Sequence, residues 1–165
     1  DNGARALIDS LTIADGPRAG EAVKDNFRVL DIGCGNGSVG FAAALRAKNV
    51  QVRAMDANAR AVQSAAMGAE KNEIANFSTQ LEAAGRCAEP DTFDLALANP
   101  PYFSNFRIAE IFVQAAFNCL KPGGRLHFVT KQPEWFADRF VEVFDEVSVL
   151  ENRGYFVVKA TQLDS

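Results

Sequence analysis

Three closely spaced glycines that follow an apolar segment constrain the fold of this chain more than any other feature of its sequence. The apolar segment, Phe27–Ile32, has the composition of a buried strand, and the glycines stand at positions 33, 35 and 37. An alanine-rich segment, Ser38–Lys48, follows and has the composition of a helix. Because glycine has no Cβ atom, such a loop can turn sharply and let a ligand lie against its backbone. This strand–loop–helix order predicts a βαβ unit within an open α/β sheet.

The same alternation of short apolar runs and helical segments continues to the end of the chain. Lys121–Gly124 predicts a helix end followed by a turn. The short link Glu151–Gly154 predicts an antiparallel hairpin between the last two strands. The complete prediction has strands at 27–32, 50–55, 76–81, 93–98, 125–130, 144–150 and 155–160, and helices at 38–48, 58–72, 108–120 and 134–143.

The size and composition of the chain exclude several classes of protein. A length of 165 residues predicts one domain with a core that needs no disulfide or metal for stability. The longest apolar run, Phe41–Leu45, is too short to span a membrane. Three cysteines without a CxxC pair, together with one histidine, cannot supply an ordinary zinc site, and they favour a reducing, cytoplasmic location. A net charge of −4 argues against tight nucleic-acid binding by this chain alone.

Residues with functional character follow three of the predicted strands. Asp31 and the glycines end the first strand, Asp56 follows the second, and Asn99–Tyr102 follows the fourth. Ligands of open α/β sheets bind outside the carboxyl ends of the strands, so these residues predict a single site.

The glycine loop alone leaves a second class of enzyme open. Gly35–Gly40 matches the GxGxxG pattern literally, and Asp56 lies 19 residues after Gly37, near the position of the ribose-binding acid in a dinucleotide site. A nicotinamide or flavin oxidoreductase therefore stays an alternative at this point. Cys34 is interpreted as a small side chain in a tight loop, because no histidine lies nearby in the sequence to activate it.

The tetrapeptide Asn99-Pro100-Pro101-Tyr102 indicates which type of reaction the site could carry out. The two prolines stiffen the loop and remove N–H donors, which leaves carbonyl oxygens to accept hydrogen bonds. The side-chain oxygen of Asn99 and the carbonyl of Pro100 can together accept both hydrogens of an NH₂ group, and Tyr102 offers a flat face on which a base can stack. This arrangement favours methylation of a conjugated amine, since it aims the nitrogen lone pair at an electrophile.

Taken together, these residues resemble a class I S-adenosylmethionine-dependent methyltransferase that acts on an exocyclic or amide nitrogen. The resemblance covers nearly the whole chain and is closest to the catalytic domain of the bacterial ribosomal RNA small-subunit guanine-N2 methyltransferase C family. The motifs that carry it are Asp31–Gly37, Asp56, Asn99–Tyr102, the opening helical segment Asp1–Leu7, Lys121–Gly124 and Gly154–Ala160.

This resemblance implies a Rossmann-like α/β fold with a seven-stranded, mostly parallel sheet in the order 3-2-1-4-5-7-6, an antiparallel final strand, and helices on both faces. It implies that Asp31 and the glycines contact the methionine part of S-adenosyl-L-methionine, that Asp56 holds the ribose hydroxyls, and that the adenine lies near Glu82. Family members often carry aspartate at that last position, and often phenylalanine in place of Tyr102. The full set of expected cofactor residues is Asp31, Gly33, Cys34, Gly35, Gly37, Asp56, Ala57, Glu82, Ala83 and Asn99, and the expected catalytic residues are Asn99, Pro100, Pro101 and Tyr102.

The resemblance also implies the substrate and the domain organisation. Guanine N2 of ribosomal RNA is the expected methyl acceptor, and ribosomal RNA or the ribosomal subunit is the expected partner. Residues 1–165 are expected to be one catalytic domain excised from a longer chain that has an amino-terminal domain. Methyltransferases of glutamine N5 in release factors and of adenine N6 carry a similar tetrapeptide, so both stay alternatives. More distant alternatives are the dinucleotide oxidoreductase and a binding domain without catalytic activity.

Overall fold

The computed structural model describes residues 1–11, 26–101 and 106–163, which contain seven strands and five helices. The strands are β1 (Phe27–Ile32), β2 (Val50–Asp56), β3 (Phe77–Leu81), β4 (Phe93–Ala98), β5 (Leu120–Thr130), β6 (Phe144–Asn152) and β7 (Tyr155–Gln162). The helices are α1 (Asn2–Asp9), α2 (Ser38–Ala44), α3 (Ala59–Lys71), α4 (Phe106–Cys119) and α5 (Pro133–Phe140). No helix among the described residues is long and apolar enough to cross a membrane.

The strands form one seven-stranded sheet in the order β3-β2-β1-β4-β5-β7-β6, which confirms the predicted order. Strands β1 to β5 pair in parallel, and β7 is antiparallel to both of its neighbours. The hairpin between β6 and β7 turns at Arg153 and Gly154, whose φ angles of 57° and 74° are those of a tight primed turn. The direction of chain winding reverses between β1 and β4, which places a crevice at the carboxyl ends of these strands.

Alternate residues of the central strands face two separate cores, as expected when helices cover both faces of a sheet. Val29 and Leu97 pack on one face with side chains of α1, α2 and α3. Leu30 and Ala98 pack on the other face with α4 and α5, where the aromatic rings of Phe136 and Phe140 lie. All six residues of β4 are buried, so the strand that leads into the Asn-Pro-Pro loop is held rigidly.

Segment Lys121–Gly124, predicted as a turn, lies inside β5 instead. Phe93 pairs with Leu120 and Leu95 pairs with Arg125, so the residues between them form an irregular bulge within a continuous strand. Helix α2 ends at Ala44, earlier than predicted: the amide of Arg46 donates to the carbonyl of Ala43, three residues back, and the i→i−4 pattern does not continue.

Two of the three cysteines pair in the structure. Cys87 and Cys119 form a disulfide, whereas Cys34 is a buried free thiol. The scattered spacing of the cysteines favoured a reducing setting, in which such bonds are rare, so this pairing differs from the expectation. The two residues are 32 positions apart in sequence, and the fold brings the loop after β3 against the end of α4, a contact that cysteine spacing does not reveal.

Candidate functional site

A cavity of about 770 Å³ opens at the carboxyl ends of β1, β2 and β4, where the strand order predicts a ligand site. Its volume lies within the range of pockets that hold small molecules and cofactors. The predicted site residues that line it are Asp31, Gly33, Cys34, Gly35, Asp56, Ala57, Glu82, Ala83, Asn99, Pro100 and Pro101. Tyr102 lies outside the described residues.

The glycine loop is held against the end of β2 by backbone hydrogen bonds. The amides of Gly33 and Cys34 both donate to the carbonyl of Met55, over 2.8 Å and 3.0 Å. Gly33 has a φ of 71°, and a Cβ atom there would lie 2.6 Å from the ring of Phe112. Glycine is therefore required at position 33 by both backbone conformation and space.

Gly35 and Gly37 have different roles in this loop. The position that a Cβ atom would take on Gly35 has no atom within 4 Å, and Gly35 lines the cavity, so a ligand can approach its backbone closely. Gly37 is not among the lining residues. It precedes α2 as the N-cap with a φ of 89°, and a Cβ atom there would lie 2.7 Å from the ring of Phe41. Its contribution is to the packing of the loop.

Asp56 ends β2 and organises the adjoining backbone. One carboxylate oxygen accepts from the amide of Gly35 over 2.9 Å, and the other accepts from the amide of Asn58 over 2.8 Å. An ionised carboxylate offers about four acceptor positions, so two oxygens fixed in this way can still accept from two neighbouring hydroxyls. The acceptor positions left on this one carboxylate match in number the two donors of a diol.

Asp31 is a buried acid in the wall of the same cavity and is 2% exposed. One of its oxygens accepts from the amide of Gly40 over 3.0 Å. The pKa of Asp31 is raised to about 7, mainly by burial; the hydrogen bond from the Gly40 amide opposes this shift, and the nearby charge of Asp56 contributes to it. A cation bound in the cavity would favour the ionised form of Asp31.

The thiol of Cys34 is not a nucleophile. Burial, together with the nearby carboxyl groups of Asp31 and Asp56, raises its pKa to about 12. Since the thiolate is the reactive form, Cys34 stays protonated and inert. This agrees with its interpretation as a small side chain in a tight loop.

Glu82 and Ala83 follow β3 and line the cavity beside Asp56. The amide of Glu82 donates to the carbonyl of Asp56 over 2.9 Å, which ties the two strand ends together. The carboxylate of Glu82 accepts from the amide of Ala84 over 2.7 Å, and this hydrogen bond, with help from Arg86, holds the pKa of Glu82 below its usual range. The Glu82 carboxylate therefore orders its own loop.

Two further elements, which the sequence motifs did not assign to the site, also contribute residues to the cavity. Helix α4 contributes Ile108, Ile111, Phe112 and Ala115, and α1 contributes Ala4 with its N-cap residue Asp1. The spacing of the α4 residues is i, i+3, i+4, i+7, the pattern of one helix face, so periodicity could have assigned this face to the site. The opening segment Asp1–Leu7 was expected to be helical, and α1 confirms this, but the sequence did not place it beside the site.

A model of one protein family, described as the methyltransferase small domain, matches residues 1–160. The chain belongs to this family. The match decides between the enzyme classes that the glycine loop left open, and the chain is an S-adenosylmethionine-dependent methyltransferase rather than a dinucleotide oxidoreductase.

Several curated proteins are similar in sequence to the chain. Protein YbxB of Bacillus subtilis is 30% identical over 99% of this chain and 79% of its own length. A ribosomal RNA large subunit methyltransferase G of Psychromonas ingrahamii is 27% identical over 99% of this chain and 43% of its own length. A ribosomal RNA small subunit methyltransferase C of Chromohalobacter salexigens is 34% identical over 86% of this chain and 42% of its own length. The chain thus spans less than half of these two ribosomal RNA enzymes.

Solved structures have the same fold at low sequence identity. A predicted O-methyltransferase from Agrobacterium tumefaciens superposes with a TM-score of 0.76 at 18% identity, covering 98% of this chain and 81% of that protein. A SAM-dependent methyltransferase from Aquifex aeolicus superposes with a TM-score of 0.67 at 22% identity, covering 86% of this chain and 85% of that protein.

The residues of the cavity fit the cofactor of the methyltransferase small domain family. Asp56 can accept from both ribose hydroxyls, and Asp31 places a carboxylate where a cationic ligand would stabilise its ionised form. The open space above Gly35 leaves room for the ligand beside the backbone. Across the described ranges, no three His, Cys, Asp or Glu side chains are grouped to hold a metal ion.

Proposed function

We propose that this chain transfers a methyl group from S-adenosylmethionine to an exocyclic amine, and that the amine is N2 of guanine in ribosomal RNA. The observation that carries the proposal is the position of Asn99 and Pro100, which line the same cavity as Asp31, Asp56 and the glycine loop. Acceptors for an amine therefore lie beside the residues that fit the cofactor. The names of the relatives that act on ribosomal RNA support the choice of substrate.

When bound, S-adenosylmethionine supplies an electrophilic methyl group on a positively charged sulfur. The protein must hold the acceptor nitrogen in line with that methyl group. The side-chain oxygen of Asn99 and the carbonyl of Pro100 would accept the two amine hydrogens and hold the nitrogen so that its lone pair, perpendicular to the plane of the base, points at the methyl group. The new nitrogen–carbon bond would form as the carbon–sulfur bond breaks, and the nitrogen would lose one proton after the transfer, so no strong base is needed. Holding the reacting atoms in this way lowers the barrier because their orientation is set before the reaction.

A paired guanine cannot present N2 to this loop, because the amine lies inside the helix and takes part in base pairing. The base must therefore come from single-stranded RNA or leave the stack, as other enzymes that modify bases require. Tyr102 is proposed to stack on the extracted base.

A labelling experiment distinguishes guanine N2 from the two alternative methyl acceptors, glutamine N5 and adenine N6. The chain is incubated with methyl-labelled S-adenosylmethionine and, in separate reactions, ribosomal RNA, a release factor, and adenine-containing nucleic acid. We expect label in ribosomal RNA, recovered as N2-methylguanosine after digestion to nucleosides. Label on glutamine or on adenine N6 would show that this group, and not guanine N2, is the methyl acceptor. No label in any reaction, at protein concentrations high enough to offset the weak RNA capture expected of this chain alone, would refute the proposed function.

The cofactor site is tested by Asp56→Ala. We expect S-adenosylmethionine binding to weaken by about 2 kcal/mol, roughly 30-fold, because charge-assisted hydrogen bonds to two hydroxyls are lost. Calorimetric titration measures the affinity. Asp138→Ala is the control, since it removes an exposed carboxylate on α5 far from the cavity. If Asp56→Ala binds the cofactor as the parent protein does, Asp56 is not the ribose ligand.

RNA capture by this chain alone is expected to be weak. Binding to an RNA backbone depends on Lys and Arg side chains that neutralise phosphates, and the chain has a net charge of −4. We propose that an additional amino-terminal domain supplies the missing contacts, as the greater length of the ribosomal RNA relatives allows. RNA affinity measured over a salt series should be higher and more salt-dependent with that domain joined, while cofactor affinity stays the same. Equal RNA binding with and without the domain would contradict this proposal.

A further inference from the structure

We propose that Asp1 is a positioning residue for Asn99: it holds the amide nitrogen of Asn99 and thereby fixes which way the amide oxygen faces. This inference rests on the proposed function, in which that oxygen accepts a hydrogen of the substrate amine. The observation behind it is a hydrogen bond of 3.3 Å from Nδ2 of Asn99 to Oδ2 of Asp1. Both residues line the cavity that fits the cofactor.

The carboxylate of Asp1 joins two elements of the site. Its Oδ1 caps the N-terminus of α1 by accepting from the amides of Gly3, over 2.7 Å, and Ala4, over 3.3 Å. Its Oδ2 accepts from Asn99 in the loop after β4. Helix α1 and the Asn-Pro-Pro loop are thus connected through one side chain, although the two residues are 98 positions apart.

The chemistry of the pair decides the orientation of the amide. The oxygen and nitrogen of an asparagine side chain are similar in shape, so hydrogen-bond partners determine which of them faces a given direction. An ionised carboxylate can only accept hydrogen bonds, and the nitrogen of Asn99 must therefore face Asp1. The oxygen, bonded to the same carbon, then faces away from Asp1. The reverse orientation would place N–H donors against an NH₂ substrate and would prevent the amine from being held.

Asp1 can set this orientation because α1 is itself firmly placed. Leu7 of α1 is fully buried in one of the two cores. At the other end of the helix, the Oγ of Ser10 lies 3.1 Å from Nδ1 of the buried His127 on β5. The position of the Asp1 carboxylate is therefore determined by the packing of the helix, and Asn99 adjusts to it. This is how a rigid neighbour holds a catalytic side chain in one geometry.

The test is Asp1→Asn, which keeps the shape of the side chain and reverses one hydrogen-bonding role. Asparagine caps helix N-termini as well as aspartate does, so α1 should be retained. Its amide nitrogen, however, would face the nitrogen of Asn99 and force that amide to rotate. We expect turnover to fall by roughly 10-fold to 100-fold, the scale of a misplaced contact at a reacting group. We expect S-adenosylmethionine affinity to stay within about threefold, because the cofactor contacts are not altered.

Asp9→Asn is the matched control. It makes the same chemical change at the opposite end of α1, where Asp9 contacts Arg153 and Asn152 instead of the site. We expect its turnover to equal that of the parent protein. Thermal unfolding of both variants shows whether either change acts through stability alone.

A second measurement needs no substrate. The side-chain amide protons of Asn99, observed by NMR with ¹⁵N labelling, should shift and exchange faster in Asp1→Asn than in the parent protein or in Asp9→Asn. Unchanged Asn99 signals, unchanged turnover, or a loss of cofactor affinity as large as the loss of turnover would each overturn the positioning role. A parent protein that methylates none of the three amine substrates would instead overturn the proposed function, and this role with it.

Discussion

Replacing Asn99 by alanine is expected to reduce turnover by about two orders of magnitude or more while cofactor affinity changes by no more than a few-fold. The substitution removes an acceptor that the amine needs in order to be oriented, and it leaves Asp56 and the glycine loop in place. Steady-state and single-turnover rates on ribosomal RNA, together with calorimetric titration of S-adenosylmethionine, measure the two effects separately.

Asn118→Ala is the control for this substitution. Asn118 is an exposed asparagine on α4 whose side chain contacts only Gln114 among the hydrogen bonds of the described residues. We expect the Asn118 variant to keep the parent rate. An Asn99→Ala enzyme that methylates at a near-normal rate would exclude the amine clamp, and one that loses cofactor binding in proportion would place Asn99 in the cofactor site alone.

Much of the fold could be predicted because its signals are local. Asn58, the first residue of the helix predicted at 58–72, caps α3 by accepting from the amide of Arg60 over 2.9 Å. Segments Phe27–Ile32 and Phe93–Ala98 are strands with the bounds that their apolar runs predict. In each case the residues that determine the structure lie within a few positions of one another.

The features that sequence reasoning missed depend on distant contacts. The disulfide joins Cys87 to Cys119, and the hydrogen bond between Asp1 and Asn99 joins the first helix to the loop after β4. Neither pairing has a fixed spacing, since both depend on how the elements pack. The bulge at Lys121–Gly124 was missed for a related reason, because its glycine and proline residues are typical of a turn and only the pairing with β4 keeps them within a strand.

The buried carboxyl group of Asp31 makes the stability of the protein depend on pH. Replacing this one residue separates its contribution from those of the other titrating groups. The pKa of Asp31 in the folded state is about 7, above the value of 3.8 for an exposed aspartate. At Asp31 the folded state therefore binds more protons than the unfolded state between these values, and the contribution of Asp31 to stability falls as pH rises from about 4 to about 7. A difference of about three pKa units corresponds to at most about 4 kcal/mol.

We expect Asp31→Asn to remove this fall, because the amide keeps an acceptor for Gly40 and cannot ionise. The free energy of unfolding, measured with urea from pH 4.5 to pH 8.5, should decrease more in the parent protein than in the variant. Subtracting the unfolding free energy of the variant from that of the parent protein at each pH removes the contributions of the other titrating groups, which the two proteins share. A difference that does not change with pH would contradict the burial of an ionisable Asp31.

Asp31 also couples binding of the cofactor to the release of a proton. A cationic ligand beside Asp31 stabilises the carboxylate, so binding near pH 6 must release a proton, and affinity for S-adenosylmethionine should rise with pH up to about 7 in the parent protein. Calorimetric titrations in buffers of different ionisation enthalpy measure the protons released. Asp31→Asn should bind with an enthalpy that does not depend on the buffer. A parent protein that also shows no buffer dependence would mean that the positive charge of the cofactor lies away from Asp31, and that the acid serves only to hold the amide of Gly40 at the start of α2.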